Sequence, residues 1–467
     1  MSTIFLICQR GAAAARRRFN FGVVAAGVSL LGLVGLGYLS GASAMYFGLP
    51  SSEYLSKAFT GAEDYFSPDA PLPAPRDLTA EARAARDPLG GAFDGLILVT
   101  PAAEAEAALV DGRGTVVHRW RMPARRPGSR SPHVREPLPT EPIIWERVHL
   151  YPNGDLLALC SAKSASPYGY GLVKLDKDSK MLWWHSANAH HDLDVGDDGR
   201  IYLLTQRLDA KPPAELKLPG TYPAEEVTVL SPEGRELDVL PLYEPLRDSP
   251  HHLTFLWGRE QALQHAAPAP GGPPPLPPGA PLPPGGPLPP PDQLSPDDVL
   301  HSNSVRVLSA ALAPKFPLFR PGMLLVSLRT PSLLVVLDPR KRCVVWAARG
   351  PWRSQHDARF LDNGHVLLFD NSGSGEGARA LEYDPVTQAI PWSFAPKQTP
   401  FFVPFRGGAQ RLPNGNTLLI GHGCQLLEVT TNKDVVWQAG PPSAGPPLLH
   451  HFTDLRCCAP AELTFLR

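Results

Sequence analysis

The sequence predicts an all-β fold, a β-propeller of about six four-stranded blades preceded by one amino-terminal transmembrane or signal helix, and three observations carry that prediction. Apolar hairpins turned at Asn-Gly or Asp-Gly recur along the chain. Most are followed by a third strand, a charged turn and a fourth strand that carries tryptophan. Proline reaches 55 of 467 residues, which disfavours long helices and suits short strands and turns.

Taken in chain order, the first element is a targeting or anchoring segment, residues 1–52. Arg16, Arg17 and Arg18 precede a stretch from Phe19 to Ser52 without a charged side chain. It reads either as a retained helix with its arginines on the cytoplasmic side, or as a signal cleaved after Ala42-Ser43-Ala44. The apolar run exceeds the roughly 7–15 residues of a secretory core, which favours retention. Either case predicts a membrane anchor with the propeller outside the cytoplasm, or a periplasmic or secreted domain. Residues 53–91, rich in Ala, Pro and charge, read as a linker.

The propeller is expected over 92–445. A unit near Phe93 to Trp120 is incomplete, and five more begin near Glu146, Ala189, Val299, Gln355 and Gly407. Hairpins turn at Asn153-Gly154, Asp198-Gly199, Asn363-Gly364 and Asn414-Gly415, and a turnless variant runs from Val305 through Val326. Closing tryptophans stand at Trp183-Trp184, Trp346, Trp392 and Trp437. A two-layer sandwich also has many short strands, but it does not explain a repeating tryptophan at a repeating position. The segment 265–296 is dominated by Pro, Gly, Ala and Leu and reads as an extended insertion between blades, and 446–467 as a carboxy-terminal tail.

A net charge of −1 with 19% charged residues provides no basic excess to meet phosphates, so a nucleic-acid partner is excluded. Six cysteines without a Cys-x-x-Cys pair give no cysteine zinc site. No disulfide pairing is assigned.

The repeats also point to a site. Eight residues before each turn glycine stand Glu146, His191, His356 and Gly407, and His301-Ser302-Asn303-Ser304-Val305 is aligned with His356-Asp357-Ala358-Arg359-Phe360. Equivalent positions in a radial repeat lie on one ring, so imidazoles and a carboxylate are expected to face a common channel. Converging imidazoles bind zinc or, when protonated, an oxyanion. Arg329 and Arg379 nearby favour the oxyanion, because guanidinium matches a sulfate or phosphate with paired donors. No metal and no cofactor are therefore assigned.

Asp298-Val299-Leu300-His301-Ser302-Asn303-Ser304 with Ser327-Leu328-Arg329, Gln355-His356-Asp357-Ala358 with Leu368-Phe369-Asp370-Asn371, and Gly408-Ala409-Gln410-Arg411-Leu412-Pro413-Asn414-Gly415 resemble motifs of the bacterial aryl sulfotransferase family over about residues 140–440. The resemblance implies a nucleotide-independent sulfotransferase that moves a sulfuryl group from an aryl sulfate to a phenol through a sulfohistidine. It implies catalytic roles for His422, His356 and His301, with His422 nearest the nucleophile by order along the pattern, and sulfate binding around His301, His356 and Arg379. Arg329, Asn303 and His191 complete the candidate substrate-binding set. The segment before the first blade is too short for the separate amino-terminal β domain of some members.

Those residue types suit the chemistry. Sulfuryl transfer, like phosphoryl transfer, needs an in-line nucleophile, cations on the equatorial oxygens and a proton acceptor for the attacking phenol. The competing expectation is a non-catalytic envelope propeller that binds a ligand or protein partner, since fold does not fix function. A metal-dependent hydrolase is a third.

Overall fold

The computed structural model describes residues 91–101, 105–111, 115–122, 143–162, 169–218, 220–266, 297–373, 377–396, 407–421, 426–439 and 452–467. The anchor or signal segment, the linker up to residue 90, the insertion from 267 to 296 and residues 422–425, with His422, lie outside the described residues. Among the described residues no helix is long and apolar enough to cross a membrane.

The chain forms a six-bladed, all-antiparallel β-propeller, each blade a sheet of four strands. Blade 1 holds β1 (Leu96–Pro101), β2 (Glu106–Val110) and β3 (Val116–Arg121); blade 2 holds β4 (Ile143–Leu150), β5 (Leu156–Ala162), β6 (Gly169–Leu175) and β7 (Met181–Ser186). Blade 3 holds β8 (Ala189–Val195), β9 (Ile201–Ala210), β10 (Tyr222–Leu230) and β11 (Glu236–Pro241); blade 4 holds β12 (Ser302–Val307), β13 (Leu324–Leu328), β14 (Leu333–Asp338) and β15 (Cys343–Ala348). Blade 5 holds β16 (His356–Phe360), β17 (Val366–Asp370), β18 (Arg379–Tyr383) and β19 (Trp392–Phe394); blade 6 holds β20 (Gly408–Arg411), β21 (Thr417–Ile420), β22 (Leu426–Val429) and β23 (Val435–Ala439).

The incomplete first unit is completed from the other end of the chain. The stretch expected as a tail contains β24 (Phe452–Cys458), which pairs with β1 and supplies the innermost strand of blade 1. Residues after it strap onto blade 2, where the Thr464 and Phe465 N–H groups donate to Pro152 O and Phe465 packs against Trp120 and His118. β24 and the residues after it also tie blade 1 to blade 6, where Gln410 donates to Cys457 O and accepts the Cys457 N–H, and to blade 2 at Pro152.

The core is divided into six apolar layers, each between two adjacent blades. Alternation in the middle strands builds it: Leu156, Ala158 and Cys160 face blade 1 while Leu157 and Leu159 face blade 3. Burial on both faces explains why these strands are apolar nearly throughout. The repeating tryptophans tie neighbours together by their indole N–H. Trp120 donates to Gly154 O at 2.9 Å, Trp183 to Pro232 O at 3.1 Å and Trp392 to Thr431 O at 3.0 Å, in each case in the following blade.

Between β11 and β12 lie two helices absent from the sequence expectation, α1 (Tyr243–Arg247) and α2 (His252–Ala266). Phe255 of α2 is buried against Tyr243, and Gly258 abuts Pro331 so closely that a Cβ would stand 2.3 Å from its carbonyl oxygen.

Candidate active site

The inner strands β4, β8, β12, β16, β20 and β24 surround the axis, and two polar layers lie along it. One is an ion-pair network contributed by successive blades. Arg147 Nε lies 2.6 Å from Asp192 Oδ1, Arg306 bridges Asp192 and Asp357 (Nη2 to Asp357 Oδ1, 3.0 Å), and Arg359 reaches the same Asp357 oxygen at 2.8 Å. Burial alone would raise the Asp357 pKa, but Arg359, Arg147, Arg306 and Arg456 hold it far below the usual carboxylate range. Three inner strands also accept a backbone N–H from the next through a side chain: Asp192 Oδ2 from Val305, Ser304 Oγ from Ala358, and Asp357 Oδ2 from Ala409.

That relation corrects the alignment of His301. Asp192, Ser304 and Asp357 occupy one repeat position, so the residue equivalent to His191 and His356 is Asn303. The hairpin bonds agree: Gly196 N to Arg200 O, Leu308 N to Met323 O and Leu361 N to His365 O each fall five residues after His191, Asn303 and His356. His301 stands ahead of β12, beyond the bulge between Ser302 and Ser304. Blade 4 has a long first hairpin containing the 3₁₀ turn Ala313–Lys315 in place of the Gly turn, which removed the landmark used for counting.

The second layer is built from the segments that enter and leave the inner hairpins. At the start of β8, His190 Nδ1 and His191 Nδ1 are 2.9 Å apart, so one ring donates to the other. His191 meets His301 edge to face with centroids 5.0 Å apart. Both His191 and His301 adopt left-handed backbone conformations, φ 56° and 50°, an uncommon state for side chains larger than glycine. His301 Nδ1 lies 2.5 Å from Asp298 Oδ2, which fixes that nitrogen as the donor. Burial would lower its pKa, but Asp298, with Glu225 and Glu146 behind it, holds it above the usual imidazole value.

Arg329 follows β13, and its N–H donates to His301 O at 3.0 Å. Its side chain is 3% exposed, and burial pushes its pKa down to about 10, so it remains a cation at neutral pH. His356 opens β16. Its Nδ1 lies 2.9 Å from Ser354 O and 2.8 Å from Asn371 Oδ1. Both partners accept, so Nδ1 carries the proton and Nε2 keeps the lone pair. Burial, followed by the charges of Arg329 and His301, pushes the His356 pKa down to about 3, and the ring is neutral at pH 7.

His191, His301, His356 and Arg329 are thus brought into one electrostatic neighbourhood. Asn303 buttresses it, donating Nδ2–H to Gln355 O at 2.8 Å and so fixing the residue before His356. Arg379 opens β18 opposite Asp370, the residue before Asn371: its Nε donates to Asp370 Oδ2 at 2.8 Å and its Nη2 to Pro351 O at 2.6 Å, which clamps the loop after β17. Asp298, Asn371 and Glu225 were not selected from sequence. The first two stand inside the quoted motifs, and the spacing of Asp298 three residues before His301 was the available signal. Glu225 comes from the third strand of the preceding blade and left no local signal. Among the described residues no group of three or more His, Cys, Asp or Glu side chains is arranged to hold a metal ion.

Fold and site together define a propeller whose axis ends in a cluster of imidazoles beside a buried guanidinium. Residues 290–441, about a third of the chain, match the model of the Arylsulfotransferase (ASST) family, and the chain is similar to the aryl sulfotransferases over the blades that carry His301, Arg329 and His356. No curated protein matches the chain. Similar solved structures include a protein of unknown function from Bacteroides caccae, 11% identical with a TM-score of 0.44, covering 74% of this chain and 93% of that one. A catalytically inactive virginiamycin B lyase from Staphylococcus aureus with quinupristin is 7% identical with a TM-score of 0.36, covering 66% and 73%.

Proposed function

We propose that the protein is a nucleotide-independent sulfotransferase that moves a sulfuryl group from an aryl sulfate to a phenol, with His356 Nε2 as the nucleophile. The observation that carries this is the fixed tautomer of His356: Nδ1–H is held by Ser354 O and Asn371 Oδ1, and the ring is kept neutral beside the Arg329 cation. A neutral imidazole with its lone pair on the outer nitrogen is the form that attacks sulfur, and a buried guanidinium is the group that holds sulfuryl oxygens while charge redistributes. Asn303 and Gln355 keep the nucleophile in register. The family match to residues 290–441 supports the same class of chemistry.

The transfer runs in two halves. His356 Nε2 forms a bond to sulfur as the sulfur–phenoxide bond breaks, and the acceptor phenol then displaces the imidazole. The propeller would work outside the cytoplasm, held or exported by residues 1–52. The test is release of nitrophenol from p-nitrophenyl sulfate by the full chain with and without phenol. Turnover that needs the phenol and is lost in His356→Ala is expected; no turnover by folded protein across several donors would overturn the proposal and favour a binding propeller.

A further inference from the structure

His356 and Arg329 meet the sulfuryl group, and the segments that brace them carry two further guanidinium groups with no countercharge. We propose that Arg349 and Arg353, with the Trp257 ring of α2 stacked on Arg349, form a second anion subsite that selects aryl sulfates bearing a further negative group, a carboxylate in the simplest case, on the aryl portion. This deepens the sulfotransferase reading and rests on it.

α2 packs on the turn that follows β13, where Gly258 meets Pro331 O with no room for a Cβ. Arg349 Nε donates to the same carbonyl oxygen at 3.2 Å, and the Arg349 guanidinium lies over the Trp257 ring, 4.3 Å from its centroid. Trp257 is 56% exposed, so the stack borders solvent. The turn itself begins at Arg329, whose N–H is held by His301 O and whose carbonyl accepts the Ser332 N–H at 3.0 Å. Trp352 Nε1–H on Ser332 O, at 3.1 Å, holds the other end. Arg329 and Pro331 are two residues apart, at most about 7 Å of backbone. The cation assigned to the sulfuryl group and the Arg349 cation are thus fixed to one braced turn.

Arg353 belongs to the support of the nucleophile. It lies three residues before His356, at most about 11 Å along the backbone. Its N–H donates to Asp370 Oδ1 at 3.0 Å and its carbonyl accepts from Ser372, so its backbone brackets Asn371, the residue that holds His356 Nδ1. Asp370 is already engaged: Oδ1 accepts the N–H groups of Arg353, Ser372 and Gly373, and Oδ2 accepts from Arg379. Among the described residues neither Arg349 nor Arg353 forms an ion pair. Burial, then the charge of Arg353, pushes the Arg349 pKa down from the usual guanidinium range. Two half-buried guanidinium groups that repel one another gain from an anion that both can reach, through paired donors as well as charge. An anion there sits within reach of a molecule whose sulfate is on Arg329.

The experiment gives full-length wild type, Arg349→Gln, Arg353→Gln and the double variant two donors, p-sulfooxyphenylacetate and p-sulfooxyphenylpropanoate, each against its own amide. Carboxylate and amide share nearly the same leaving phenol, so the ratio of their kcat/KM values reads recognition of the charge. Wild type should favour the carboxylate by about tenfold, chiefly through KM, and added salt should shrink that preference. Each single variant should reduce the ratio, and the double variant should bring it to about one. The corresponding sulfonates, which cannot transfer sulfur, are titrated calorimetrically with the same proteins and should show the same preference in affinity. A ratio near one in wild type, or a preference that survives the double substitution, would overturn the subsite. Absence of turnover by wild type with every donor sinks the sulfotransferase reading instead, and the sulfonate affinities then decide the subsite separately.

Discussion

Asn371 Oδ1 stands 2.8 Å from His356 Nδ1 and, with Ser354 O, decides which nitrogen of the ring carries the proton. In Asn371→Leu the ring keeps only the backbone acceptor, and the tautomer with Nε2–H gains population. Steady-state transfer from p-nitrophenyl sulfate to phenol should fall in kcat by about ten- to hundredfold with little change in melting temperature, since the expected defect lies in a positioning bond. Unchanged kcat would show that Ser354 O suffices.

Arg329 is a cation buried to 3% exposure whose charge acts on His356, the proposed nucleophile. Arg329→Gln should lower kcat by about 10²–10³-fold, the effect typical of removing one donor from a developing negative charge. Arg329→Lys should recover only part of it, because a point charge does not reproduce paired guanidinium donors. Kinetics of both variants with one donor settles the comparison.

Asp357 ties Arg306, Arg359 and Arg147 from three blades. Asp357→Asn leaves these guanidinium groups without that countercharge, and a loss of roughly 3–5 kcal/mol in unfolding free energy is expected, the range for breaking a buried pair by removing one partner. Denaturant unfolding measures it. Because the folded pKa of Asp357 is depressed, its contribution is complete above about pH 4 and disappears as pH falls through the folded value, so the variant and wild type should converge in strong acid.

His356 and His149, held neutral with pKa values of about 3, and His190, at about 4, have the opposite dependence from His301. Burial leads in each, and the unfolded chain takes up their protons near 6.5 while the folded chain does not. Stability should therefore fall as pH drops from about 7 toward 4. The raised pKa of His301 contributes stability that is complete below about 6.5 and is lost as pH rises through the folded value. Thermal melts of wild type and His190→Gln across that range test the sign: the variant should show a shallower acid-side decline.

Blade boundaries were legible because turn glycines and closing tryptophans repeat, and Asn414-Gly415 or Trp392 marks its place without any tertiary knowledge. The ring closure was not, because β24 lies more than three hundred residues from β1 in sequence and its partner strand is the only reason for it to be extended. Helix α2 has exposed Leu253 and Trp257 and no clear apolar stripe, so its pattern carried little helical signal. At the site, repeat position and motif selected His191, His356 and Arg329, which the fold brings into one neighbourhood with His301. His301 was reached through a misaligned register, and Arg379 proves to be engaged by Asp370. Glu225 depends on contact between blades, which no local pattern encodes.

The central claim is that a sulfuryl group resides on His356 during turnover. Wild-type protein incubated with radiolabelled p-nitrophenyl sulfate in the absence of phenol, quenched in base and digested, should yield label on the peptide containing His356. Added phenol should discharge it before the quench. Label on the peptide containing His422, or none despite transfer activity, would contradict the account.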